Sequence, residues 1–371
     1  MPSHSRIAAC AASLCLAALC LAAAPLRADC DFGAVDTAME ELLQQAGLPG
    51  GAVQIGYRGG VLHERYFGSY GSATVVPIAS ATKWLSAIRI VQLAERGMLD
   101  LDAPVSATLP QFTGPKGRMT LRQMFSHSAG YGDDEDSPLL RTDQPSLAAA
   151  VDEIACCLPF PQNWTPGQQF AYGGISMHVG GRMAEVATGG DWQQGWRDAI
   201  ALPLGIASID WQGLGPTLNY RISGSARSNL ADYGRVLRML ANDGVGNGRR
   251  VLGATALQAL YADQTAQLPV AYAPPSAPEQ VHYALGNWIE PATGAALPLH
   301  HSFGAFGFYP WLDRQRALYG VFMIRGGNAI NETALPRYRA MVDAARAVVD
   351  AQTCTPPHPD DAIWRDGFAP D

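Results

Sequence analysis

The sequence predicts an α+β fold: one antiparallel sheet flanked by helices, with a helical lobe inserted between its strands. Strand patterns occur near both ends of the 371-residue chain, and helical periodicity dominates the region between them. Because strands so far apart in sequence share one sheet in this arrangement, distant segments of the chain close that sheet. We predict a sheet lobe over 29–78 and 281–352 and a helical lobe over 79–280.

The helices are predicted from apolar residues that recur every three or four positions, together with residues that start or stop a helix. Gly47, Gly97 and Gly130 mark helix ends, and Ser228-Asn229 marks a helix start. The predicted helices lie at 35–45, 80–96, 120–130, 146–154, 175–186, 229–241, 255–263 and 338–349.

The strands are predicted from alternating or continuous apolar residues bounded by turn residues. They lie at 52–57, 61–68, 283–290, 297–302, 306–312 and 317–324. Two other segments carry no such pattern. The proline-rich stretch 268–278 is predicted to be an irregular rim or lid, and the charged run Asp133–Asp136 a solvated loop.

Residues 1–28 have the pattern of a secretory signal peptide. Arg6 precedes an apolar run over 7–24, and cleavage is predicted near Ala28. A membrane anchor is the alternative, but Pro25 stops the run and leaves it short for a span. We therefore expect a periplasmic or secreted protein. The proline-rich stretch 353–371 is predicted to be a loosely ordered tail.

Composition restricts the class of partner. The chain is 48% hydrophobic and 16% charged, with a net charge of −7, which favours a globular protein without a nucleic-acid surface. We expect a small-molecule ester, amide or short peptide as substrate. No phosphate-binding glycine loop and no metal-ligand spacing occurs, so no cofactor and no metal are predicted.

Four cysteines remain after the predicted cleavage, and an even number in an exported chain permits two disulfides. Three pairings of Cys30, Cys156, Cys157 and Cys354 are possible. A Cys30–Cys354 bond would tie the two chain ends together and leave the neighbours Cys156 and Cys157 as an uncommon pair. The sequence leaves the pairing open.

The strongest catalytic candidate is Ser80-Ala81-Thr82-Lys83, which opens a long apolar helix. In a helix, the Ser80 hydroxyl and the Lys83 amine lie one turn apart on the same face. The helix N-terminus and burial both disfavour a protonated amine. We therefore expect a neutral Lys83 that can take the proton of Ser80.

Four landmarks in order resemble the penicillin-recognising serine hydrolases. They are Ser80–Lys83, the segment 121–130, Tyr172-Gly173-Gly174, and the glycine-rich segment 304–307, and the resemblance covers about residues 32–350. That family includes class C β-lactamases, D-Ala-D-Ala carboxypeptidases, family VIII esterases and 6-aminohexanoate-dimer hydrolases. The resemblance implies a β-lactamase/transpeptidase-like fold with its site between the two lobes.

The resemblance also implies roles for individual residues. Ser80 is similar to the nucleophile, Lys83 to its proton acceptor and Tyr172 to the second proton-relay group. The third motif, in which the family usually has Lys-Thr-Gly, aligns best with Ser302-Phe303-Gly304. The backbone N–H groups of Ser80 and Ala305 would then form the oxyanion hole.

Two positions depart from the family pattern. The asparagine often found two residues after the tyrosine is Gly174, and the lysine of the third motif is Ser302. A shift of one residue would make His301 the equivalent of that lysine, and this alternative stays open. Loss of the lysine weakens carboxylate binding and favours an ester or amide over a β-lactam or a D-Ala-D-Ala peptide.

The sequence thus predicts acyl transfer through a Ser80 acyl-enzyme, with Lys83 and Tyr172 moving the proton. A Ser-His-Asp hydrolase of the α/β-hydrolase type would need a Gly-x-Ser-x-Gly elbow, which is absent from the sequence. A binding protein that keeps the fold without catalysis is a further alternative. Five aromatic residues could line an apolar acyl pocket, although packing in the core is the commoner fate of such side chains: Tyr131, Trp164, Phe303, Phe306 and Phe308.

Overall fold

The computed structural model describes residues 30–291, 297–327 and 330–351. The predicted α+β class is confirmed, with one antiparallel sheet and a set of helices packed on it. The predicted signal peptide (1–28) and tail (353–371) lie outside the described residues. Within the described residues, no helix is both long and apolar enough to cross a membrane.

A six-stranded antiparallel sheet is the centre of the fold, with strand order β2-β1-β12-β11-β10-β9. Strands β1 and β12 pair directly although they lie more than 250 residues apart in the sequence, with Val53 opposite Phe322. The strands of this sheet are β1 (Gly50–Tyr57), β2 (Gly60–Gly68), β9 (Trp288–Glu290), β10 (Leu299–His301), β11 (Tyr309–Asp313) and β12 (Leu318–Met323).

Six short strands lie outside the main sheet and pair two by two. They are β3 (Val76–Pro77) with β5 (Arg227–Ser228), β4 (Phe170–Ala171) with β8 (Val270–Tyr272), and β6 (Val245–Gly246) with β7 (Arg249–Arg250). The prediction that 268–278 is irregular throughout is therefore wrong at β8. This strand forms because β4, distant in sequence, offers it a parallel partner.

The helices cover both faces of the sheet and build the inserted lobe. Those over the described residues are α1 (Gly33–Ala46), α2 (Thr82–Glu95), α3 (Leu121–Phe125), α4 (Leu147–Cys156), α5 (Ile175–Thr188), α6 (Trp192–Trp196), α7 (Leu202–Leu204), α8 (Leu230–Ala241), α9 (Ala254–Tyr261) and α10 (Ile330–Asp350). The predicted cap of α8 is confirmed, since the Asn229 side chain accepts a hydrogen bond from the Asp232 N–H at 2.8 Å.

Within the described residues, this layering produces two large apolar cores, and a small third cluster contains Tyr172. One of the two cores lies between the sheet and the terminal helices α1 and α10, and includes Val53, Met39 and Met341. The other is larger and extends from the opposite face of the sheet through α2 and α8 into the helical lobe. Neighbouring residues of β1 alternate between the two cores, because successive side chains of a strand point to opposite faces. Helix α2, which carries the candidate nucleophile, is thereby buried over most of its length.

The structure contains a disulfide between the adjacent residues Cys156 and Cys157, at the end of α4. Cys30 is also disulfide-bonded. Cys354 lies outside the described residues, so the pairing of Cys30 with Cys354 stays a prediction.

Candidate active site

Ser80 lies in a 3₁₀ turn, Ala79–Ala81, that leads directly into α2. Ala79 has a φ of +45°, an unusual backbone conformation for a residue with a side chain. Tyr233 holds the turn by donating a hydrogen bond to the Ala81 carbonyl at 2.8 Å. Strain next to a half-exposed serine is common where a nucleophile must be presented in a fixed orientation.

The Lys83 amine lies 3.1 Å from the Ser80 hydroxyl oxygen, as the spacing of the motif predicts. The Lys83 side chain is fully buried. Its Nζ also donates to the Glu135 carboxylate at 2.9 Å and to the Ser223 carbonyl at 3.0 Å. Lys83 therefore has three hydrogen-bond acceptors, one for each hydrogen of an ammonium group.

Glu135 belongs to the acidic run that the sequence predicts to be solvated, and that prediction is wrong for the middle of the run. Glu135 pairs with both Lys83 and Arg221, while Asp134 accepts hydrogen bonds from the N–H groups of Gly174 and Ile175. Only Asp133 and Asp136 are exposed. The run turns inward because these partners, which lie 40 or more residues away in sequence, satisfy its buried carboxylates.

The charges of this cluster change how Lys83 titrates. Burial lowers the pKa of Lys83, but the facing Glu135 carboxylate and Tyr172 outweigh burial and raise it above its ordinary value. Burial opposes the charge on Glu135 too, yet Lys83 and Arg221 bring the pKa of Glu135 down to about 2. The expectation of a neutral Lys83 amine near neutral pH is therefore wrong, because no local pattern around Lys83 marks Glu135, 52 residues away, as its partner.

Tyr172 lies beside Lys83, just after β4. The Lys83 nitrogen is 4.6 Å from the centre of the Tyr172 ring. The ring stacks on Trp288 at 5.4 Å, and the Tyr172 N–H donates to the Tyr272 carbonyl at 3.0 Å, which fixes the backbone. The structure thus brings together the three residues that the sequence singles out: Ser80, Lys83 and Tyr172.

The imidazole ring of His127 packs against the ring of Tyr172. His127 adopts a φ of +58°, and its ring centre lies 4.3 Å from that of Tyr172. Its Nδ1 accepts a hydrogen bond from the Gly173 N–H at 3.3 Å. Burial and the nearby Lys83 hold the pKa of His127 well below its ordinary value, so the imidazole is neutral and packs as an aromatic ring.

The two alternatives for the third motif occupy different places. Ser302 donates a hydrogen bond to the Ser80 carbonyl at 3.0 Å and therefore touches the nucleophile turn. His301 contacts Tyr309 instead, with ring centres 5.2 Å apart, and its Nε2 lies 3.5 Å from Glu290. Of the two residues, only Ser302 reaches Ser80, because neighbouring residues of an extended segment face opposite sides.

The segment after Ser302 runs close to the nucleophile turn. A side chain at Gly304 would place its Cβ 2.2 Å from the Ile78 carbonyl oxygen, so only glycine allows this approach. Within the described part of the chain, neither the Ser80 N–H nor the Ala305 N–H donates to a backbone acceptor in a turn or loop. Two such free donors are what an oxyanion hole requires.

Two of the five aromatic residues considered for an acyl pocket lie in the apolar cores. Phe303 packs on Tyr338 and Phe308 on Tyr233, so both belong to the cores, which is the commoner of the two fates weighed for them. Tyr131 packs edge-on against Phe160. Phe306 is only half-buried.

Sequence reasoning missed four residues of this cluster: Asp134, Glu135, Arg221 and Ser223. Asp134, Glu135 and Ser223 contact motif residues across 40 to 140 positions of the chain, and Arg221 contacts Glu135 across 86. One signal was available, since four consecutive acidic residues directly follow the landmark segment 121–130. Nothing in the sequence marks Arg221 or Ser223.

The comparisons with known proteins agree with this fold. A solved β-lactamase-like structure from Bacteroides dorei is 30% identical, with a TM-score of 0.75, and the match covers 86% of this chain and 99% of that one. Monacolin J acid methylbutanoyltransferase of Aspergillus terreus is 32% identical over 36% of this chain. Esterase EstB of Burkholderia gladioli is 26% identical over 46% of it. These matches span 37% and 49% of the length of the two curated relatives.

The family match is broader than any of these pairwise matches. The Beta-lactamase family model matches residues 35–344, which contain every landmark discussed above. The chain therefore belongs to the β-lactamase family, the group of serine hydrolases that its four motifs resemble.

Proposed function

We propose that the protein is an exported hydrolase that cleaves a small ester or amide through an acyl-enzyme on Ser80. The observation that carries the proposal is the contact between the Ser80 hydroxyl and the buried Lys83 amine at 3.1 Å, beside the Tyr172 ring. A nucleophile hydroxyl next to proton-transfer groups is the arrangement that covalent catalysis needs. Export rests on the predicted signal peptide.

In the proposed reaction, the Ser80 oxygen attacks the substrate carbonyl. The hydroxyl proton passes to the Tyr172 oxygen while the phenol proton goes to the leaving group, which departs as an alcohol or amine. Water then attacks the acyl-enzyme, loses a proton by the same route and releases the acid. Positioned proton transfer of this kind contributes about a hundred- to ten-thousand-fold in rate.

The oxyanion that forms in both steps needs donors aimed at it. The N–H groups of Ser80 and Ala305 fill this role in the proposal, because within the described residues neither donates to a backbone acceptor in a turn or loop and the close approach at Gly304 holds the two segments together. Loss of one such donor costs about 3 kcal/mol of transition-state stabilisation.

A β-lactam or a D-Ala-D-Ala peptide is the second candidate substrate, favoured by the family match. One observation argues against it. Ser302 stands where the family usually has a lysine, and its hydroxyl is engaged with the Ser80 carbonyl. The site therefore lacks the cation at this position that would pair with the carboxylate of those substrates.

Labelling with a fluorophosphonate tests the nucleophile, and p-nitrophenyl esters of short acids, linear amides and nitrocefin test the substrate class. We expect one labelled residue, Ser80, and turnover of short esters above that of nitrocefin. Ser80→Ala should remove labelling and turnover, whereas Ser69→Ala, a serine outside the cluster, should keep both. A stable protein that neither labels nor turns over any of these compounds would favour a binding role.

A further inference from the structure

As an ammonium group, Lys83 can donate each of its three hydrogens to a neighbouring acceptor. Three acceptors surround it: the Ser80 hydroxyl, the Glu135 carboxylate and the Ser223 carbonyl, at 2.9 to 3.1 Å. A carbonyl and an ionised carboxylate accept hydrogen bonds but cannot donate them. The Ser80 hydroxyl can accept a hydrogen bond from an ammonium group or donate one to a neutral amine, so the contact with Ser80 fits either state of Lys83. The Glu135 carboxylate at 2.9 Å distinguishes them, because its negative charge stabilises the ammonium form of the buried side chain.

We propose that Glu135 is a positioning residue that holds Lys83 as an ammonium ion, so that Ser80 accepts a hydrogen bond from Lys83 and gives its own proton to Tyr172. The inference deepens the proposed function, because it assigns the proton route of the same site. It does not make Glu135 a catalytic residue, since Glu135 acts through Lys83.

The surroundings of Lys83 show why a carboxylate is needed there. The titratable or charged groups that face it are Glu135, Asp134, Tyr172, Arg221 and His127. Arg221 repels the ammonium, and burial removes the water that would otherwise stabilise it. Without Glu135, both effects lower the pKa of Lys83.

Arg221 in turn keeps Glu135 in place. Its guanidinium binds the second Glu135 oxygen and the Glu135 carbonyl, so one carboxylate bridges two cations. Because Arg221 holds one carboxylate oxygen of Glu135, the other oxygen stays directed at Lys83. A charge held in this way costs little reorganisation when the substrate binds.

The sequence makes a direct measurement possible, because Lys83 and Lys116 are its only lysines. Protein labelled with ¹⁵N at lysine Nζ therefore gives two side-chain signals, and a Lys116→Arg variant identifies the one from Lys83. We expect the full-length wild-type protein to show Lys83 as an ammonium throughout the range from about pH 6 to pH 10. A neutral Lys83 at pH 7 would overturn the proposal without any variant.

Glu135→Gln keeps the shape of the side chain but removes its charge. We expect the Lys83 ammonium group to be at least ten-fold more acidic than in the wild type, so that the midpoint of its titration lies at least one pH unit lower. Glu135→Asp should restore most of the wild-type behaviour, and Asp136→Asn, at an exposed neighbour, should leave it unchanged. An unchanged Lys83 midpoint in Glu135→Gln would contradict the proposal, provided that the Lys116 signal confirms a folded protein.

Kinetics supply a second readout. We expect the alkaline limb of kcat/KM for a p-nitrophenyl ester to move to lower pH in Glu135→Gln by the same shift as the Lys83 signal. A gain in activity at high pH would show that neutral Lys83 is the better base and would overturn the assignment. The magnetic resonance measurement does not depend on turnover, so failure of the proposed hydrolase activity and failure of this inference are distinguishable.

Discussion

At Gly174, the space for a side chain is already filled. An added Cβ would lie 2.6 Å from the Ser223 hydroxyl oxygen and 2.7 Å from a Leu140 methyl carbon. Ser223 reaches this place because its carbonyl binds Lys83. The missing asparagine of the family pattern is therefore part of a local rearrangement, in which a serine from a distant loop packs beside the catalytic candidates.

Replacing Gly174 with the asparagine of the family pattern should therefore destabilise the protein. We expect Gly174→Asn to lower the free energy of unfolding by about 1–3 kcal/mol, the usual cost of overpacking a buried site. Urea denaturation measures the change. Adding Ser223→Gly should recover part of the loss, and Gly71→Asn, where nothing lies within 4 Å of the added Cβ, serves as the control. Equal stability of Gly174→Asn and wild type would show that the site can accept the side chain.

At the scale of elements, the approach of the Ser302–Ala305 segment to the nucleophile turn decides whether the oxyanion donors are aligned. The two segments are 222 residues apart in the sequence and are held together by the Ser302 hydrogen bond and by the close approach that Gly304 allows. A displacement of about 1 Å at such a place is enough to lower the catalytic rate strongly.

Gly304→Ala should therefore lower the activity of the protein while leaving it folded. Its Cβ would meet the Ile78 carbonyl oxygen, a backbone atom that cannot move aside cheaply. We expect kcat/KM for a short ester to fall at least about 100-fold, the effect of losing one oxyanion donor. Gly327→Ala, which has open space around its Cβ, should keep wild-type kcat/KM. Thermal unfolding of both variants checks that they are folded, and retained activity in a folded Gly304→Ala would refute this role of the segment.

Elements with strong periodicity were predictable from the sequence, whereas contacts between distant loops were not. The hairpin β1–β2, the cap at Asn229 and the order of Ser80, Lys83 and Tyr172 follow from local patterns. Strand β8 and the inward turn of Glu135 do not, because each depends on a partner far away in the sequence. The charge state of Lys83 could not be predicted for the same reason.

At the scale of the whole molecule, buried histidines make the fold sensitive to acid. Burial lowers the pKa of His178 and His301 to about 4 and that of His300 to about 3. In the unfolded chain these imidazoles protonate near their ordinary pKa of about 6.5. The stability that they confer is therefore complete above that value and is lost as the pH falls towards 4.

We expect the free energy of unfolding to fall steeply near pH 5, where the unfolded chain binds roughly three more protons at these sites than the folded protein. Three protons correspond to about 4 kcal/mol per pH unit. Urea denaturation at a series of pH values measures this slope. His178→Asn, which can still hydrogen-bond Asn219, should reduce the slope by about a third. A slope near zero between pH 6 and pH 5 would contradict the assignment.

The pairing of β1 with β12 also affects how the enzyme is made. A ribosome releases Ser80 222 residues before Ser302, and Ala305 and strand β12 follow later still. Until then the β1–β2 hairpin lacks its neighbour in the sheet, and Ser80 lacks the second of its two proposed oxyanion donors. A nascent chain that ends before Ser302 should therefore carry a dormant serine, and the proposed acylation requires both segments to be present.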